Sequence, residues 1–202
     1  LDLVTRYLTP SAAAPMPGFG SVVDLPEQTR IVQQMAIDCP ERVASLTSIM
    51  STTGDPDVGQ PTDECVVALL EPAEPDRDAN LAAGLRIGQL YAGPVYFDDD
   101  WILERNARQF DRCFHPEGAT AQLIGIVTSS PRSEALRGID VPALVIHGDI
   151  DPLVTLSGGE RTAECLRGSE FLVLENMGHD VPRHYWATII EHVTALASRA
   201  NA

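Results

Sequence analysis

Short apolar runs that alternate with helix-like segments constrain the fold of this chain more than any other feature of its sequence. Each run has the length and composition of a buried strand, and the runs are SVVDL (21–25), RVASLTSIMST (42–52), PALVIHGD (142–149) and EFLVLE (170–175). The clearest helix-like segments after them are EQTRIVQQMAIDCP (27–40), GGERTAECL (158–166) and RHYWATIIEHVTALASR (183–199). Strands that alternate with helices pair in parallel, because a crossover helix returns the chain to the same end of the sheet. The pattern predicts an α/β protein with a parallel sheet of about four strands.

A long helical region separates the second strand-like run from the third. It consists of DECVVALL (63–70), DANLAAGLRIGQLYAG (78–93), DDDWILERNARQFDRCF (98–114) and ATAQLIGIV (119–127). Three of these segments open on aspartate, which is typical of a helix N-cap. We therefore predict a partial core at residues 1–60, an inserted helical cap at 61–135, and a second part of the core at 136–202.

The charge balance argues against two classes of partner. The chain has 29 acidic and 14 basic residues, which gives a formal net charge of -15. Such a surface repels the phosphates of nucleic acids and of anionic lipids. No apolar run approaches the roughly 18 residues of a membrane span, and the first residues do not resemble a signal peptide. We expect neither nucleic acid nor a membrane as a partner.

The cysteines and glycines carry no recognisable cofactor motif. The four cysteines are scattered, without a C-x-x-C pair or a histidine at metal-ligand spacing, so the sequence predicts neither a zinc site nor a disulfide framework. The stretch PGFG lacks the third glycine of a dinucleotide fingerprint. We expect free thiols, a cytoplasmic location, and no cofactor or metal.

Two strand-end loops carry the candidate catalytic residues. VIHGDIDPLV ends one strand with Asp149 and Asp151, and NMGHD places His179 after the next strand. Loops that follow neighbouring parallel strands open at the same carboxyl edge of the sheet, where α/β proteins bind ligands. The spacing therefore predicts that Asp151 and His179 can meet.

Three segments carry a resemblance to a known superfamily. PERVASLTSIMSTTGDP, VPALVIHGDIDPLVTLSGGERTA and LENMGHDVP resemble the α/β-hydrolases, and most nearly the aclacinomycin methylesterase-like hydrolases of polyketide metabolism. The resemblance extends from about residue 29 to the end of the chain. It implies that Asp151 and His179 are the acid and base of a Ser-His-Asp triad, with Asp149 ordering the loop.

The sequence departs from this family at the nucleophile. The family carries G-x-S-x-G at the strand-to-helix turn, and a gapless count back from CPERV puts DLPEQ over that motif. Pro26 then stands at the serine position, with Asp24 and Gln28 at the glycine positions. Proline holds φ near about -65°, which does not suit a strained elbow. We predict a degenerate elbow in the C-terminal part of an α/β-hydrolase fold; a sequence that lacks residues is the other explanation.

Several further residues are candidates for the site. Tyr91 and Tyr96 flank AGPVYF and could line an apolar pocket, and Trp186 could form a wall of it. The sequence favours a structural role for His147, and it favours a loop position without catalytic function for Ser21.

Three functions fit these residues. The first is an enzyme that uses the Asp-His dyad for a cyclisation, elimination or decarboxylation of a small apolar, polyketide-like substrate. The second is an esterase or lactone hydrolase whose nucleophile lies in residues outside this sequence. The third is a non-catalytic metabolite-binding or scaffold protein. A sheet that begins at SVVDL exposes an edge, so we also expect a homodimer or pairing with a missing N-terminal segment.

Overall fold

Four parallel strands form one sheet in the order in which they occur along the chain. The computed structural model describes the backbone of residues 20–24 and the whole of residues 31–200. The strands are β1 (Gly20–Asp24), β2 (Val43–Ile49), β3 (Ala143–Gly148) and β4 (Glu170–Leu174). The prediction of a four-stranded parallel sheet is confirmed.

Helices connect the strands and cover the sheet. They are α1 (Ile31–Asp38), α2 (Asp63–Leu69), α3 (Arg77–Tyr91), α4 (Asp99–Arg112), α5 (Pro116–Thr128), α6 (Ser133–Arg137), α7 (Leu156–Cys165) and α8 (Trp186–Ala200), with 3-10 turns at Pro40–Arg42 and Arg183–Tyr185. No helix in this described part of the chain is long and apolar enough to cross a membrane.

Side-chain alternation along β3 divides the core into two layers. Ala143 and Val145 pack in the cluster formed with α1, α6 and α7. Leu144 and Ile146 face the opposite way and pack in the cluster that contains residues of α8. Successive side chains of a strand point to opposite faces, so an almost continuously apolar β3 fits a strand with helices on both faces.

The region between β2 and β3 is helical from α2 to α6. The side chain of Asp98 caps α4 by accepting the Trp101 N–H at 3.0 Å, and Asp76 caps α3 in the same way. The sequence pattern placed the starts of α2 and α3 too late, because Thr62 and Asp76 rather than Asp63 and Asp78 supply their N-caps. It also missed α6, which is only five residues long. The division into core and cap at residues 61 and 135 remains a prediction.

Some sequence predictions fall where the structure describes little. Pro26 and Gln28 lie outside the described residues, and Asp24 is described only as the last backbone position of β1. The loop position expected for Ser21 is wrong, because Ser21 lies in β1 opposite Ser45 of β2. All four cysteines are free, whereas the cytoplasmic location stays a prediction.

Candidate active site

Asp151 and His179 lie together at the carboxyl edge of the sheet. His179 Nδ1 is 2.7 Å from Asp151 Oδ2. The other carboxylate oxygen, Oδ1, accepts the backbone N–H groups of Leu153 and Val154, each at 2.9 Å. Asp151 is buried and the His179 side chain is only 8% exposed. Three hydrogen bonds therefore orient the carboxylate, one of them from the imidazole.

This contact determines which nitrogen of His179 is available for chemistry. An ionised carboxylate only accepts hydrogen bonds, so Nδ1 must carry the shared proton. The neutral ring then presents Nε2 with a lone pair. The pair has the geometry of a general base held by a carboxylate.

His179 reaches Asp151 because its loop folds across the end of β3. Asp149 N–H donates to Leu174 O at 3.2 Å, and Ile150 N–H donates to Met177 O at 3.3 Å. A Cβ on Gly148 would lie 2.0 Å from Met177 O. Glycine at the last position of β3 is thus what permits the loop to cross so closely.

A second histidine lies beside the same carboxylate. His147 is fully buried on β3, with Nε2 2.7 Å from Val154 O and 3.7 Å from Asp151 Oδ2. A carbonyl only accepts, so Nε2 carries the proton, while Nδ1 has no hydrogen-bond partner in the described part of the chain. Burial lowers the pKa of His147, against the opposing effects of the Val154 carbonyl and Asp151. Of the two ring nitrogens of His147, only Nε2 therefore has the hydrogen-bond partner that a structural role would give it.

The three aromatic candidates occupy different places. The Tyr91 ring meets His179 edge to face, with centroids 6.5 Å apart. Burial raises the pKa of Tyr91 to about 12, so its phenol remains a hydrogen-bond donor at neutral pH. Tyr96 lines a small cleft beside Gly178. Trp186 is 38% exposed and donates Nε1–H to Val181 O at 3.1 Å. Tyr91 is the candidate whose ring contacts the dyad histidine.

Comparison with known proteins places this arrangement in a known architecture. A family model described as TAP-like protein matches residues 124–196, which include Asp151 and His179. A thermophilic esterase from Thermogutta terrifontis is 18% identical, with a TM-score of 0.67 over 91% of this chain and 67% of that one. The chain has the α/β-hydrolase fold. An enol-lactonase from Burkholderia xenovorans LB400 is 17% identical, with a TM-score of 0.67 over 88% of this chain and 65% of that one.

A third α/β-hydrolase structure extends the comparison. The 2-hydroxy-6-oxo-6-phenylhexa-2,4-dienoate hydrolase from Rhodococcus sp. strain RHA1 is 18% identical, with a TM-score of 0.62 over 88% of this chain. This chain spans between 61% and 67% of the length of the three structures. At these identities the likeness shows the shared α/β-hydrolase fold.

The α/β-hydrolase core also contains a buried polar network at the end of β2 that sequence reasoning missed. Gln33 and Arg132 are both buried, and Arg132 Nε donates to Gln33 Oε1 at 3.0 Å. Arg132 Nη2 donates to Thr52 O at 2.9 Å, and Gln33 Nε2 donates to Ser48 and Ser51. Buried serine side chains need hydrogen-bond partners. The serines in TSIMST were therefore the one sequence signal that could have indicated a polar network here. The network anchors the loop that leaves β2.

Metal ligation has no candidate site in the described parts of this α/β-hydrolase fold. Within residues 31–200, no group of three or more His, Cys, Asp or Glu side chains is arranged to hold an ion. The dyad itself is built from one carboxylate and one imidazole.

Proposed function

We propose that this protein is an enzyme in which His179, oriented by Asp151, is the general base for a reaction of a small apolar substrate. The observation that carries the proposal is the 2.7 Å contact between His179 Nδ1 and Asp151 Oδ2. It leaves Nε2 as the proton acceptor, at the edge of the sheet where α/β proteins place their ligands.

The dyad is sufficient for proton transfer without a covalent intermediate. A positioned general base typically contributes about 10² to 10⁴ in rate. The carboxylate holds the imidazole in one tautomer and stabilises the imidazolium that forms when the proton is taken up. We assign Tyr91, whose ring meets His179 edge to face and whose phenol stays protonated, as the candidate hydrogen-bond donor for charge that develops on a substrate oxygen.

The residue at the nucleophile position of the degenerate elbow decides which class of reaction we favour. Pro26 occupies the position of a nucleophilic serine in the α/β-hydrolase pattern, and a proline offers no nucleophile. Cyclisation, elimination and decarboxylation each need a base and a donor, and none needs an acyl-enzyme. We propose one of these reactions on a polyketide-like substrate, with residues 61–135 as the cap over the site.

Ester or lactone hydrolysis is the second candidate. The likeness in fold to an esterase and an enol-lactonase favours it. In this case the nucleophile would lie outside the described residues, and His179 would deprotonate it. A non-catalytic metabolite-binding or scaffold role is the third candidate, and it predicts that the unaltered protein turns over no member of a substrate panel.

Turnover of a substrate panel tests the proposal. The panel contains polyketide intermediates with acidic C–H groups, aryl esters and enol lactones, and products are followed by chromatography. His179→Gln should remove nearly all turnover, and Asp151→Asn should reduce it by less, because it spares the base but favours the wrong tautomer. His115→Gln is the matched control, since that side chain is 66% exposed. Full turnover in His179→Gln would overturn the proposal, and no turnover by the unaltered protein would favour the binding role.

A serine-directed fluorophosphonate probe separates the two catalytic candidates. Under the acid–base proposal, mass spectrometry should find no stoichiometric adduct on any serine. A stoichiometric adduct that is lost with the serine it marks would overturn the acid–base proposal and support ester or lactone hydrolysis.

A further inference from the structure

The residues on both sides of His179 are attached to the helices between β2 and β3. The His179 N–H donates to Tyr91 O, the last residue of α3, at 2.6 Å. Asp180, the next residue, accepts from Arg105 Nη1 of α4 at 2.8 Å. The dyad histidine is therefore held from one side by Asp151 and from the other by α3 and α4.

The backbone of the His179 loop is in direct contact with the end of α3. A Cβ on Gly178 would lie 2.2 Å from Tyr91 O. A Cβ on Gly93 would lie 2.2 Å from Asn176 O. Two glycines, one on each segment, allow backbone to meet backbone, so a displacement of α3 or α4 moves the peptide that carries His179.

Arg105 supplies the long-range charged contact at the junction between the His179 loop and helices α3 and α4. Its side chain is 35% exposed and that of Asp180 is 23% exposed, so the ion pair is partly shielded from solvent. Ile102, which is buried on the same helix, packs α4 against Gly88 of α3. The helix is thus anchored without Arg105, whose charged contact is directed at the residue next to His179.

We propose that Arg105 is a positioning residue: through Asp180 it holds the His179 loop against α3 and α4, so that the imidazole is placed for catalysis only while these helices are docked. The inference rests on the proposed function, because it takes His179 to be the general base. Its structural part can be tested without any turnover. Undocking of α4 then releases the loop, and docking restores the base to Asp151.

Hydrogen exchange of the His179 amide measures the junction directly. In Arg105→Gln, exchange of that amide should rise about two- to fivefold, because loss of a partly shielded ion pair eases local opening. Asp180→Asn should have the same effect, and the double variant should add nothing more. Arg105→Lys should restore part of the protection. Arg108→Gln is the control, since Arg108 pairs with Glu104 on the same helix.

Two further readings keep the test decisive. Amides of β3 should exchange as in the unaltered protein; an equal rise there would mean global destabilisation and would overturn the positioning role. Unchanged exchange at His179 in Arg105→Gln would also overturn it. With the substrate identified by the panel, kcat should fall in Arg105→Gln with little change in KM. If His179→Gln keeps full turnover, the proposed function fails, whereas the exchange result on Arg105 still stands.

Discussion

At the residue scale, one carboxylate organises the candidate site. Asp151 takes two hydrogen bonds from its own loop and one from His179, which is 28 residues away in sequence. His147 Nε2 lies 3.7 Å from Oδ2, the same oxygen that His179 contacts. The two local bonds hold Oδ1 independently of His179, so we expect the position of Asp151 to be insensitive to movement of the His179 loop.

The buried His147 should make the protein sensitive to acid. Its pKa in the folded protein lies below the ordinary value of 6.5. Between pH 6.5 and the lowered pKa, the unfolded chain binds a proton at His147 that the folded protein does not. The free energy of unfolding is therefore highest above about pH 6.5 with respect to this group, and it declines as the pH falls toward the lowered pKa. His147→Gln keeps an N–H for Val154 O and cannot titrate. Its free energy of unfolding should fall less steeply between about pH 7 and pH 5, by at most about 1.4 kcal/mol per pH unit.

Chemical denaturation at a series of pH values checks this. Asp151, His179 and Glu160 also bear on the charge of His147, and they are unchanged in the variant, so the difference between the two curves isolates His147. His115→Gln serves as the exposed control. Identical pH dependence in His147→Gln and the unaltered protein would contradict the prediction.

A side chain at Gly178, in the His179 loop, should lower the stability of the protein. Gly178→Ala puts a Cβ 2.2 Å from Tyr91 O and 2.8 Å from Ala92 C, so the loop or α3 must shift, at a cost of about 1 to 3 kcal/mol. Gly125→Ala on α5 meets nothing within 4 Å and should raise stability by up to about 1 kcal/mol. Urea denaturation measures both. Equal stabilities for the two variants would contradict the close contact at Gly178.

At the scale of elements, caps and glycines determine where helices begin and how closely they pack. Asp98 caps α4, the helix that carries Arg105. On the core side, a Cβ on Gly159 of α7 would lie 2.4 Å from His147 Nδ1, so the glycine lets that helix lie directly over β3. A capping side chain thus marks the start of α4, and a residue without a side chain allows the close packing of α7 on β3.

Removal of the Asp98 cap should weaken α4 and the junction with the His179 loop together. Asp98→Ala leaves the Trp101 N–H without its acceptor and should cost about 1 kcal/mol. Asp100→Ala, in the first turn of the same helix, removes one charge without removing the cap and should cost less. Thermal unfolding and hydrogen exchange of α4 give the comparison. A larger loss in Asp100→Ala would show that charge rather than capping stabilises the start of the helix.

At the scale of the whole molecule, the sheet ends in an edge strand on each side, and β4 pairs only with β3 among the strands that the structure describes. β1 pairs with β2 on one side and with no other strand that the structure describes. An unpaired strand edge is a template for another strand. β2 and β3, by contrast, each pair with a strand on both sides and offer no free edge.

We therefore predict that the protein self-associates as a homodimer, with pairing at the β1 edge. Pairing there would satisfy backbone donors and acceptors and bury apolar surface at once. Sedimentation at micromolar concentration should show a dimer, and the amides of Gly20–Asp24 should exchange slowly. A stable monomer whose β1 amides exchange rapidly would contradict the prediction.

The sequence alone was enough for the class of fold and for the identity of the dyad. Strand and helix periods depend on near neighbours in the chain, so the alternation of β1 to β4 with helices could be predicted from composition and spacing. The two strand-end loops had to share one edge of a parallel sheet. The resemblance of the segments around Asp151 and His179 then implied their roles.

Only the tertiary structure decided how those residues are held. Arg132 and Gln33 meet across 99 residues, and Arg105 and Asp180 across 75, separations at which no local pattern specifies a partner. The crossing of the His179 loop over Gly148 likewise depends on which segments pack together. Periodicity and spacing depend on contacts between residues that are close together in the chain. Contacts between distant segments arise from packing and burial, which exist only once the sheet and its helices have assembled.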